Sequence, residues 1–95
     1  MTKLEFENKV KKINIQKVRQ DDEFFKLFGK SREIFIDNKN NNDIYGCFFE
    51  EKEKMYIIFF IDAERGIARD LGEFKTESEA YEQLFFYIDK WKKEI

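Results

Sequence analysis

Seven consecutive residues, Met55-Tyr56-Ile57-Ile58-Phe59-Phe60-Ile61, are apolar at every position, and this run constrains the fold more than any other stretch. It is far too short for the ~20 apolar residues that span a bilayer. β-Branched and aromatic residues dominate it, which favours a strand over a helix. A strand that is apolar on both sides of its pleat needs cover on both faces, so the run is expected as a central strand.

Its neighbours supply the rest of a sheet. Ile44–Glu50 is a second apolar run, and Glu51-Lys52-Glu53 is short enough to join the two as an antiparallel hairpin. Asp62-Ala63-Glu64-Arg65-Gly66 reads as the next turn, with Gly66 free to take positive φ. A strand over 67–75 follows, in which Ile67 and Leu71 share one side, Ala68 and Phe74 the other, and Gly72 suggests a bulge. Upstream, Ile34-Phe35-Ile36 makes a short strand ended by Asp37 and the turn-forming tract Asn38–Asp43.

Helices flank this block. Thr2 and Glu5 have capping-box spacing, and Leu4, Phe6, Val10 and Ile13 recur at helical steps in a segment extending to about Arg19. Ile13 and Ile15 alternate with polar residues, which leaves an extended second half open. Asp21-Asp22-Glu23, then Phe24, Phe25, Leu27 and Phe28, then Gly29, read as a second short helix. At the other end Thr76 and Glu79 form another capping box. Ala80, Leu84, Ile88, Trp91 and Ile95 then line one face of a long helix. The expected fold is a single α+β domain over 1–95, a four-stranded antiparallel meander covered by N-terminal helices and a long C-terminal helix.

Several chemistries are excluded by what is missing. The 95 residues contain no His and one Cys, so neither a Ser-His-Asp nor a Cys-His arrangement exists, and zinc sites of the Cys/His kind cannot form. The glycines at 29, 46, 66 and 72 are too scattered for a phosphate loop. Asn38–Asp43 is rich in oxygen but lacks the spacing of a calcium loop. Cys47, inside an apolar run, is expected to be a buried thiol. No enzymatic activity, cofactor or metal is expected. The N-terminus shows no charged-then-apolar leader, and the chain is expected to be cytoplasmic, away from membranes.

Charge is distributed unevenly. Residues 1–30 hold eight Lys or Arg against five acids, whereas residues 43–82 hold eleven acids against five bases. An acidic surface there attracts a basic partner and repels a phosphate backbone. Asp62, Glu64 and Asp70, with Arg65 and Arg69, form the main charged cluster at a loop and strand edge. A carboxylate enzyme around Asp62 and Asp70 ranks behind an exposed, ion-paired turn. The aromatic pairs 24–25, 48–49, 59–60 and 85–86 point one ring each way wherever they lie on strands, which leaves one for a covering helix or a partner.

The stretch Met55–Leu84 has an aromatic strand, the Asp62–Gly66 turn, a further strand, and Phe74-Lys75-Thr76-Glu77-Ser78-Glu79-Ala80 leading into an aromatic helix. It covers about a third of the chain and resembles small immunity proteins of bacterial polymorphic toxin systems. The resemblance implies a cytosolic protein that neutralises a cognate toxin by occluding its active surface. On the acidic reading, Asp62, Glu64, Asp70 and Glu73 are expected to face a basic toxin domain, with Tyr45 or Tyr56 as an aromatic anchor. The alternative is a small nucleic-acid-associated or regulatory factor using Lys9, Lys11 and Lys12 of the basic N-terminal helix, although phosphate binding is weakly signalled. A homodimer through a sheet edge or spare aromatics stays open.

Overall fold

A computed structural model of the chain describes residues 1–18 and 32–93. At the N-terminus the capping box forms as its spacing requires. The Glu5 N–H donates to Thr2 Oγ1 at 3.1 Å, Glu5 Oε1 accepts from the Thr2 N–H at 3.4 Å, and helix α1 runs over Lys3–Lys11.

The N-terminal helix is shorter than its periodicity predicts. Asn14 takes φ 65°, a left-handed conformation that Asn tolerates and that ends the helical path. The chain then extends as strand β1, Ile15–Val18, with Ile15 fully buried. Alternation of Ile13 and Ile15 thus marks a change from helix to strand. The expected four-stranded sheet is corrected to five strands: β1, β2 (Glu33–Asp37), β3 (Asp43–Glu50), β4 (Met55–Asp62) and β5 (Ile67–Phe74), paired antiparallel in that order. The expected set of N-terminal helices is likewise corrected to one N-terminal helix among the described residues. The short helix expected around Phe24–Phe28 lies outside them.

Strand β4 is an interior strand between β3 and β5, with Ile57, Ile58 and Phe59 all buried, while the central place expected for it falls to β3. Gly66 takes φ 68° in the β4–β5 turn. The expected bulge is present one residue from Gly72: Ile58 pairs with Gly72 and Phe59 with Asp70, so Leu71 is the extra residue. Helix α2, Glu77–Lys93, begins at Thr76, whose Oγ1 accepts from the Glu79 N–H at 3.2 Å.

Both described helices pack on one face of the sheet. There Phe6 and Val10 of α1 meet Ala80, Tyr81, Leu84 and Ile88 of α2 over Phe35, Tyr45, Cys47 and Ile58. Phe6, Phe35 and Tyr81 pack ring against ring at centroid separations of 4.8 to 6.3 Å. Lys17 of β1 ties these layers together, 2.9 Å from Glu33 and 3.3 Å from Glu7, while Lys3 donates to Glu33 at 2.6 Å. Burial works against the Glu33 carboxylate, but hydrogen bonds from Lys3 and Lys17 outweigh it and hold its pKa below the usual range.

On the opposite face Ile34 and Ile44 are buried with Val18, Ile36 and Ile61. Further along that face, Gly46 lies opposite Phe59 in the β3–β4 register, and the ring occupies the space a side chain at 46 would need. The Arg32 guanidinium stacks 4.7 Å from the Phe48 ring centroid and 5.6 Å from that of Phe59. No described helix is long and apolar enough to cross a membrane.

Candidate partner-binding cleft

The turns at one end of the sheet bring distant acids together. Asp37 ends β2, Asp43 opens β3 and Asp62 ends β4, with Asp43 directly opposite Asp62 in the register. The asparagine tract shapes this end. The Asn42 N–H donates to Asn40 Oδ1, the Ala63 N–H donates to the Asn42 carbonyl at 2.9 Å, and Asn42 Nδ2 reaches Glu64 Oε2 at 3.3 Å. Two loops are thereby joined into one rim.

Each acid has a different fate. Asp37 is only 1% exposed, yet it accepts from Lys92 Nζ at 2.9 and 3.0 Å and from the Lys39 N–H at 2.9 Å. Its charge is fully matched, and the pair fastens the last turn of α2 to β2. Asp62 uses Oδ1 to accept the N–H groups of Glu64 and Arg65, and Arg65 Nε stands 3.7 Å from its Oδ2. Asp43 accepts from Asn40 Nδ2 at 3.2 Å but has no ion-pair partner among the described residues. Partial burial raises its pKa above the usual carboxylate range, and the charges of Asp37 and Asp62 push it the same way. The more weakly felt cations Lys92 and Arg65 oppose them.

Beside Asp43 the surface opens into a cleft of about 340 Å³ walled by Tyr45, Phe60 and Trp91, with Ile67 and Leu71 of β5 on its far side, and its charged lining pairs two acids, Asp43 and Asp62, with two arginines, Arg65 and Arg69. The Trp91 ring lies 5.8 Å from Tyr45 at an interplanar angle of 28° and 5.0 Å from Phe60. Tyr87 backs it at 5.6 Å. Tyr45 itself is buried, and desolvation, reinforced by Asp43 and Asp37, raises the pKa of its hydroxyl far above the ordinary value.

The residues expected to bind a partner do not gather in one place. Asp62 and Tyr45 line this cleft, and Glu64 stands exposed on its rim. Asp70 and Glu73 pair with Phe59 and Ile57, which places both on the sheet face away from the helices. Tyr56 lies at the opposite end of the sheet, edge-on to Phe49 at 4.9 Å, beside Glu77 and Cys47. Asp43 and Trp91 were not singled out from sequence as site residues. Trp91 is visible there as part of the helical stripe, but only the fold shows that this part of the stripe overhangs an acidic strand end.

The basic stretch is also redistributed. Lys9, Lys11 and Lys12 all stand exposed on α1 and its C-cap, Lys9 lying 5.3 Å over the Phe85 ring, while Lys3 of the same helix is engaged by Glu33 and the following Lys17, on β1, by Glu33 and Glu7. Among the described residues no group of three or more Cys, Asp or Glu is placed to hold a metal ion. Comparison of the chain with protein-family models, curated proteins and solved structures gives no match in any of the three.

Proposed function

We propose that this protein works by binding another protein, and that its partner is a basic toxin domain whose active surface it occludes, as an immunity protein would. One observation carries the reading. Asp43 is held partly desolvated among like charges, with no cation of its own among the described residues, at the open rim of an aromatic cleft. An arrangement that disfavours its own charged form gains when a cation is brought to it, and that gain falls to whatever basic surface docks there. Asp62 and Glu64 extend the acidic rim and steer association, while exposed Phe49 and Phe86 offer apolar area elsewhere. The resemblance of Met55–Leu84 to small immunity proteins agrees with this use. Basic helix α1 spends part of its charge internally, so nucleic-acid binding has the weaker support.

The test is a functional pairing. The C-terminal domain of a large secreted protein encoded immediately upstream is purified, and its toxicity is measured with and without this chain. A stoichiometric complex, abolished toxicity and an association rate that falls steeply with salt are expected. A toxin domain that stays fully active in excess of this protein, or a neighbourhood with no such gene, overturns the proposal.

A further inference from the structure

We infer that the outward face of α2 is a self-association surface, and that its partner is a second copy of this chain lying antiparallel across it about a two-fold axis at Phe86. The inference goes beyond the toxin-binding reading and does not depend on it. This face points away from the sheet, whereas the cleft lies between α2 and β5.

An apolar ring stands on the water-facing side of the helix. Ala80, Tyr81, Leu84 and Ile88 are buried toward the sheet, and steps of three and four place Glu79, Glu82, Phe86, Lys90 and Lys93 on the other side, every one of them exposed. Phe86 is 58% exposed, although it meets Tyr87 edge-on at 6.0 Å. The charges on either side of it are antisymmetric. Glu82 and Lys90 stand four residues before and after Phe86, and Glu79 and Lys93 seven before and after. When a second copy runs the opposite way with ring against ring, Glu82 of each copy faces Lys90 of the other, and Glu79 faces Lys93. A two-fold interface has to be complementary to itself, and this row is. Early acids and late bases also suit the helix dipole, but the dipole gives no reason for a phenylalanine at the midpoint of an exposed row.

Helix α1 has the same polarity. It lies beside α2 and runs the same way, with the Met1 amine 2.7 Å from Ser78 Oγ, Phe6 4.9 Å from Tyr81 and Lys9 5.3 Å from Phe85. Its exposed residues include Glu5 in the first turn, then Lys9 and, at the C-cap, Lys12. An antiparallel copy therefore brings the acidic end of one helix layer to the basic end of the other. Within the single chain Glu82 stands 3.3 Å from the Met1 ammonium and Lys93 3.0 Å from Asp89. Glu82 and Lys93 are mostly in water, so these pairs are weak and yield readily to a partner. A helix of 17 residues is about 25 Å long, which places the contact among the smaller specific interfaces and the dissociation constant in the micromolar range.

Sedimentation velocity of the full chain between about 1 μM and about 1 mM tests this. A monomer–dimer equilibrium is expected, weakened by salt. Phe86→Ser should raise the dissociation constant about tenfold or more, as should Glu82→Lys and Lys90→Glu, each of which sets like charges face to face. All three positions are exposed, and circular dichroism verifies that the variants fold. Mixed together, the Glu82→Lys and Lys90→Glu chains are expected to form a heterodimer as tight as the parent dimer, because both contacts across the axis then join opposite charges. Lys52→Glu, in the β3–β4 turn, should leave the equilibrium unchanged. The inference is overturned by a parent chain that stays monomeric at the highest concentration, by a dimer that tolerates Phe86→Ser, by mixed variants that fail to associate, or by Lys52→Glu weakening the dimer as much as Lys90→Glu does.

Discussion

Replacing Gly46 with alanine tests the packing of the sheet where the Phe59 ring fills the space over a strand glycine. A methyl group built there lies 2.6 Å from Phe59 Cε2, and closer still to Cζ and Cε1. Ordinary carbon contacts are about 3.5–4.0 Å, so the ring has to retreat by roughly 1 Å or more. It has little room to do so, since Phe59 is 5% exposed and packed against Phe48 at a centroid distance of 6.0 Å. Overpacking of this kind costs about 1–3 kcal/mol, offset in part by the ~0.4–1 kcal/mol that glycine removal gains through the unfolded chain. A net loss of about 1.5 kcal/mol is expected, or a Tm lower by ~10 °C for a domain of this size, read by thermal melting followed by circular dichroism. Phe59→Leu removes the colliding atoms, so the double variant should lose less than the two single losses combined, by about 1 kcal/mol. Strict additivity, or a melting temperature unchanged by Gly46→Ala, refutes the argument from the ring.

Three further outcomes follow from charge and burial. Lys92→Met leaves Asp37 buried without its cation and should cost about 3–5 kcal/mol, whereas pairing it with Asp37→Leu should recover much of the loss; denaturant midpoints decide this. The Cys47 thiol is pushed up to about 12, first by burial and then by the charge of Glu77, so Ellman's reagent should react with it only after denaturant is added. Asp43 has a folded-state pKa above its unfolded value, so its ionised form detracts from stability at neutral pH and the penalty fades as pH falls through the carboxylate range. Asp43→Asn should therefore raise the pH 7 stability by no more than about 0.5 kcal/mol, since solvent still screens a carboxylate that is only partly buried, and the difference should vanish near pH 3 when melts are repeated there.

Elements set by local chemistry were legible from residues alone. The Thr2–Glu5 capping box, the Thr76 N-cap, the α2 stripe, the β3–β4–β5 hairpins and the positive φ of Gly66 each follow from a few neighbouring side chains, and each is present, although Glu79 accepts from the Thr76 hydroxyl where the expected second box has it accept from the backbone. Strand β1 was not resolved from the helix before it because Asn14 is a weak stop signal, and four residues are too few to display a period of two. The candidate cleft was half legible. Asp62, Glu64 and Tyr45 were singled out, yet Asp43 and Trp91 are 48 residues apart and meet only through the register of three strands and the position of α2. Asp70 and Glu73, three apart, would face opposite ways on a regular strand. The extra residue Leu71 turns them to the same side, away from Asp62. The Asp37–Lys92 pair spans 55 positions and has no sequence signature, because a charged pair at that distance is invisible until the chain is folded.

That same extra residue governs what the outer rim of the sheet can accept. Among the described residues strand β5 pairs with β4 alone, so its other side carries backbone donors and acceptors open to a foreign peptide. Matching needs an even ladder, and Leu71 interrupts the spacing between Asp70 and Gly72, so a regular extended peptide falls out of step after a few residues. Arg69, Asp70 and Glu73, exposed along this border, add a desolvation cost to any attempt at zipping up. Among the described residues this border is thus a poor template for strand addition, because its ladder is broken at Leu71 and flanked by exposed charge.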